Sequence, residues 1–205
     1  MSRLICIFMV LLAIPPLHAD EIDSDLTEAR NIFLQGVDGD KRAVRDATHR
    51  FRSLTLSYPK EPVFLAYLGS CKTLQGRDIP NNIEKKRVTE EGLADIDRAL
   101  EQISVYKDKS SARYLDTLLV TANSYIHIPA FFNRYDKGKQ FLQQILAHPD
   151  FDKMAAGFKA AAYMAEALVA QGEGNVVEYR KYLDLTVKAD PEGRNGRLAS
   201  KLLED

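Results

Sequence analysis

Cysteine is nearly absent: the 205-residue chain has two, and one of them, Cys6, lies in an apolar stretch near the start. A chain that loses this stretch keeps Cys71 alone and cannot form an internal disulfide, whatever compartment it reaches. Cys71 follows Leu68 by three residues on an expected helix, where a lone cysteine reads as a small buried hydrophobe. Charge of one sign is also missing, since 28 basic side chains face 29 acidic ones. That balance argues against nucleic acid as the main partner, since phosphate binding needs a concentrated basic surface, and it does not point to an anionic membrane either. No stretch carries a Gly-x-Ser-x-Gly elbow, a Walker glycine loop, His-Glu-x-x-His or Cys-x-x-Cys. His49, His127 and His148 are too far apart in sequence to pair on one helical turn, so no metal or other cofactor is expected. There is no Asn-x-Ser/Thr sequon.

The apolar run Leu4–Ile14 is 11 residues long, well short of the roughly 20 that cross a hydrocarbon core. With Arg3 before it and Leu17-His18-Ala19 after it, the run reads as a secretory signal peptide over residues 1–19. Removing 19 of the 205 residues leaves 186, and losing Arg3 leaves 27 basic against 29 acidic groups. That is enough chain for one domain, residues 20–205, with no integral span after cleavage. The expected location is periplasmic or secreted, and the missing sequon with the short leader leans toward a bacterial periplasm.

What fills the remainder is helical periodicity. Asp23, Ser24 and Asp25 are expected to cap a first helix with Leu26, Ile32, Phe33 and Val37 on its apolar face. A second helix runs from about Lys41 to Tyr58, with Val44, Ala47, Phe51 and Leu54 inward. Pro59 and Pro62 bracket the turn into a third, about 62–75, followed by Gly76. Further helices are expected at about 111–127, 135–147, 152–171 and 175–188, and a short charged one at 196–203 would cap the array.

Ala47-x3-Phe51-x2-Leu54-x4-Pro59, followed by Leu68-Gly69 and Gly76, resembles the tetratricopeptide repeat, a helix-turn-helix unit of about 34 residues. Met164-Ala165 and Gly172, then Asp190-Pro191, are similar to later positions of the same motif. The resemblance covers units at 28–61 and 62–113, and weaker ones at about 114–150 and 155–191. It implies an all-α solenoid of about four units, in eight to nine helices. In that family the glycine after the leucine lets paired helices approach, a role that suits Gly69. Gly76 would be the inter-helix glycine, where left-handed backbone costs little.

The second unit departs from the pattern. Its next small-aromatic match, Ala99-x3-Ile103-x2-Tyr106, arrives 18 residues late, which is five helical turns. The inserted stretch, with its charge-mixed run Glu84–Glu91, is therefore read as a lengthened fourth helix; a loop from about 78 to 90 is the alternative.

Two surfaces are candidates for function. The resemblance implies a concave face built by the first helix of each unit, here Arg30, Phe33 and Val37, then Val63, Ala66, Ser70 and Thr73. The fourth unit would add Lys159, Ala162, Glu166 and Val169. This face would take a protein partner or an extended peptide in the cell envelope. The second candidate is the ring-rich stretch 123–135, with Asn123, His127, Phe131, Asn133 and Arg134 as recognition residues, or with Phe131 and Phe132 as filling between units. The expected function is a non-enzymatic interaction scaffold or adaptor for an envelope or secretion complex. A binder of a small ligand or peptide using 123–135 is the alternative, and an enzyme around His127, Arg134 and Tyr135 is a third. Oligomeric state is not legible.

Overall fold

The computed structural model describes residues 17–106, 109 and 111–204; the apolar run Leu4–Ile14 falls outside them. Among the described residues there is no strand and no helix long and apolar enough to cross a membrane. The helices are α1 (Leu17–Val37), α2 (Lys41–Ser57), α3 (Pro62–Asp78), α4 (Asn82–Ser104) and α5 (Ala112–His127). They continue as α6 (Tyr135–Leu146), α7 (Ala156–Gly172), α8 (Val176–Ala189) and α9 (Arg194–Glu204), with 3-10 turns at Ala130–Phe132 and Phe151–Lys153. Each odd-numbered helix packs on the next odd one, and each even-numbered helix packs on the odd helix before it. The result is an all-α solenoid of four helix hairpins closed by α9.

Local chemistry explains the boundaries. The Asp40 carboxylate accepts from the amides of Arg42 and Ala43 at 2.7 and 3.1 Å, which starts α2. Asn81 does the same for Ile83 and Glu84, both at 3.0 Å. That cap, directly after Pro80, makes the inserted stretch a helix of 23 residues rather than a loop. At the other end of the chain, Asn175 caps α8 through the Glu178 amide.

Three sequence expectations change. Asp23 and Asp25 cap nothing, because α1 starts at Leu17 and runs through them; they pair instead with Arg113 at 2.7 Å and Arg50 at 2.6 Å. Helix α7 starts at Ala156, not 152, because Phe151 is buried against the α5–α7 core and its 3-10 turn interrupts the chain. Gly76 is not left-handed; it lies inside α3, and a Cβ there would meet the Thr89 hydroxyl at 2.2 Å.

Gly76 belongs to a close crossing of α3 on α4. A Cβ on Gly69 would sit 2.5 Å from the Gly92 carbonyl, and one on Gly92 would sit 2.5 Å from the Gly69 carbonyl. The two backbones therefore touch through paired glycines, as Gly69 led one to expect, while Gly92 is a partner the repeat motif does not call for.

Among the described residues the core falls into four clusters along the solenoid. In its first part Phe51 stacks on Tyr67 at 4.8 Å, and Phe33 meets Tyr67 edge-on at 5.2 Å. Ala47, Phe51 and Leu54 are all buried here, and a fully buried Phe or Leu contributes about 1.5–3 kcal/mol each. The second part joins α5, α6 and α7 around Leu115, Leu142 and Ile145.

Candidate functional site

The first surface to test is the concave face, and along α3 of the second unit it is closed. Val63, Ala66, Ser70 and Thr73 are all buried, so α3 offers a partner no open surface at these positions. The cause is cross-bracing by α1 and α5. Arg30 of α1 donates to the Tyr67 hydroxyl at 2.9 Å and pairs with Asp116 of α5, while Tyr67 donates to Asp116 at 3.1 Å. Arg113 of α5 reaches Asp23 of α1 at 2.7 Å and Glu61 at 3.1 Å. Ser70 and Ser124 share a hydroxyl–hydroxyl bond between α3 and α5. Burial pushes the Asp116 carboxyl above its ordinary range, against the opposing pull of Arg30 and the Tyr67 hydroxyl. Burial also raises Tyr67, which keeps its proton and stays a donor.

Of the other concave-face residues, Phe33 is half-buried against Phe51 and Tyr67, and Val37 is exposed at the end of α1. Arg77 donates to the Gly36 carbonyl at 3.1 Å, fastening that end to α3. In the fourth unit Ala162 and Val169 are buried, and Lys159 and Glu166 are half-buried.

The second surface is open. Tyr125 at the end of α5 is fully buried and donates to Asp97 of α4 at 2.6 Å. Arg134, just before α6, donates to the other Asp97 oxygen at 2.6 Å and lies 5.3 Å over the Tyr125 ring. Burial, then the bond to Asp97, pushes the Tyr125 hydroxyl upward. One carboxylate thus locks the 128–134 segment to α4.

Within that segment Asn133 has φ 55°, the single non-glycine residue in left-handed backbone among those described. Its amide donates to the Ala130 carbonyl at 2.9 Å and closes the turn. Phe132 packs beside Leu93, Ile96 and Tyr125, whereas Phe131 leans on Phe132 with ring centroids 4.3 Å apart and is 64% exposed. The reading of both phenylalanines as filling therefore holds for Phe132 and fails for Phe131. Asn123 is tied to the Leu119 carbonyl at 3.0 Å, and the exposed His127 ring donates to the Asn123 carbonyl at 2.7 Å. His127 and Arg134 are thus each engaged by different groups, and they form no hydrogen-bonded pair.

Beside this segment an open depression of about 470 Å³ separates α4 from α6. Asp97, Leu100, Glu101 and Ser104 line it from α4, and Arg134 and Lys137 from the α6 side. Among the described residues no group of three or more His, Cys, Asp or Glu is placed to hold a metal ion. Sequence reasoning singled out the 123–135 stretch with Arg134 and Phe131 but named neither Asp97 nor the Arg30–Asp116 brace. The available signal was a carboxylate inside an otherwise apolar helix face, at Asp116 between Leu115 and Leu118; a buried acid of that kind needs a partner. Asp97 is a third exposed and carries no such signal.

The fold defines this chain as an all-α solenoid of helix hairpins. Comparison with protein-family models, with curated proteins and with solved structures finds no match for it.

Proposed function

We propose that this chain is a non-enzymatic interaction scaffold of the tetratricopeptide kind. It acts after export, in the periplasm or outside the cell, as an adaptor in an envelope or secretion complex. The observation that carries the reading is Phe131: a large aromatic held out in water by a turn that Asp97, Arg134 and Tyr125 lock to the solenoid. Rigid exposed aromatics beside arginine are the groups that dominate protein interfaces. The bracing of the inner face moves the partner surface outward, from Val63, Ala66, Ser70 and Thr73 to the rim between α4 and α6. Export rests on the apolar leader Leu4–Ile14 and on Leu17-His18-Ala19.

The alternative, a binder of a small ligand or peptide at 123–135, draws on the depression beside Arg134. It is the weaker reading, because that depression is open where small-ligand sites enclose most of their ligand.

The test is site-specific photocrosslinking in the native envelope, with the photoreactive residue at position 131 and a control at exposed Arg52 of α2. The adaptor reading expects one protein crosslinked from 131, none from 52, and loss of the product on Arg134→Glu placed beside the probe. No product from 131, or the same products from both positions, refutes it. N-terminal sequencing of the exported chain checks cleavage after Ala19.

A further inference from the structure

The depression between α4 and α6 has walls of opposite charge. Asp97 and Glu101 stand on the α4 wall, Arg134 and Lys137 on the other, with Leu100 between the two acids and Ser104 one turn beyond Glu101. Positions 97, 100, 101 and 104 form one face of α4, spanning about 10 Å of helix at 1.5 Å per residue. Asp97 and Arg134 are satisfied by one another, while Glu101 and Lys137 are exposed, Lys137 lying 5.7 Å over the Phe141 ring.

We infer that this groove takes an amphipathic helix of a partner protein. Its apolar stripe rests on Leu100, with a basic flank toward α4 and an acidic flank toward α6. The inference relies on the adaptor reading for the partner being a protein, and adds that partner's shape and charge.

Two features select a helix. Both walls are helices whose backbone groups are bonded within themselves, so an extended peptide finds no ladder to join. A helix brings its own backbone bonds and needs only side-chain contacts from the walls. Nor does any unpartnered buried polar atom line the groove to orient a small molecule. The charge order follows from the walls. A helix with two basic flanks meets Lys137 and Arg134 with like charge, and one with two acidic flanks meets Glu101 and Asp97.

The experiment uses the full exported chain and three fluorescein-labelled 16-residue helical peptides that share one leucine stripe. One peptide carries a basic and an acidic flank, the second two basic flanks, the third two acidic flanks. Fluorescence anisotropy should show the wild type preferring the mixed peptide over each uniform one by about tenfold, which corresponds to roughly 1.4 kcal/mol. Reversing one wall should redirect the preference, E101K toward the acidic peptide and K137E toward the basic one. Both positions are exposed, and circular dichroism confirms that the variants fold.

Equal binding of all three peptides, no binding at millimolar concentration, or a ranking that E101K and K137E leave unchanged overturns the inference. Crosslinking from position 131 reports separately on the adaptor reading. A crosslinked partner with unranked peptides sinks only the helix; ranked peptides with no envelope partner sink only the adaptor.

Discussion

Replacing Arg30 with methionine should cost more stability than replacing Asp116 with alanine, although the two residues share one ion pair. The reason is their unequal burial: the Asp116 side chain is 8% exposed and that of Arg30 33%. Methionine keeps much of the apolar stem over Tyr67 but leaves a buried carboxylate with one hydroxyl donor. Breaking a buried pair in this direction costs about 3–5 kcal/mol, and the Tyr67 bond argues for the lower end. Alanine at 116 instead leaves a guanidinium that can turn to water and a Tyr67 hydroxyl short of an acceptor, about 2 kcal/mol together. With a urea m-value of about 2 kcal/mol/M, the unfolding midpoint should fall by roughly 1.5 M for Arg30→Met and 1 M for Asp116→Ala.

The pH dependence separates the two further. A carboxyl whose folded pKa lies above its unfolded value binds more protons in the native state, so stability falls as pH rises between the two values. Burial already sets Asp116 in that direction, and removing Arg30 takes away the main opposing pull. The cost of Arg30→Met should therefore be smaller at acid pH and grow as pH rises and the acid is forced to ionise. Urea titrations followed by circular dichroism at acid and neutral pH decide it. Equal costs for the two variants at pH 7, or an Arg30→Met cost that is flat with pH, would refute the brace as described.

Other expectations follow from the close contacts. Gly92→Ala places a methyl 2.5 Å from the Gly69 carbonyl and should lower Tm by about 6–10 °C, a loss of about 2–3 kcal/mol. Gly157→Ala, on the exposed start of α7 with only Asp190 in contact range, should be neutral or stabilising by up to about 1 kcal/mol. Cys71 is fully buried and its thiol is pushed up to about 12, so a thiol reagent at pH 8 should react only after denaturant is added. Asn133→Val should cost about 1–2 kcal/mol because a β-branched residue resists φ 55°, while Asn133→Gly should cost little; thermal melts of the pair test the turn that presents Phe131.

The sequence alone determined that the chain is helical and which face of most helices turns inward, because those properties are local. Asp40 and Asn81 cap the amides two and three residues on, and Pro62 enters its helix at the first turn. The spacing of Ala47, Phe51 and Leu54 decides which face turns inward, and an 18-residue insertion keeps the phase of α4 because it is a whole number of turns. Local pattern misled where a carboxylate had a better distant partner: Asp23 and Asp25 look like caps and are ion-pair groups. Only the tertiary structure decided which surfaces remain open. Arg30 and Asp116 are 86 residues apart, and their pairing over Tyr67 braces α1 and α5 across the α3 face that sequence had offered to a partner. Phe131 and Phe132 are neighbours with the same side chain, yet one is in water and the other half-buried against the core. That difference comes from a left-handed Asn133 and from Asp97, 37 residues away, holding Arg134. Helical phase is written in a few neighbouring residues; the closing of a groove depends on charges that meet only after the hairpins have stacked.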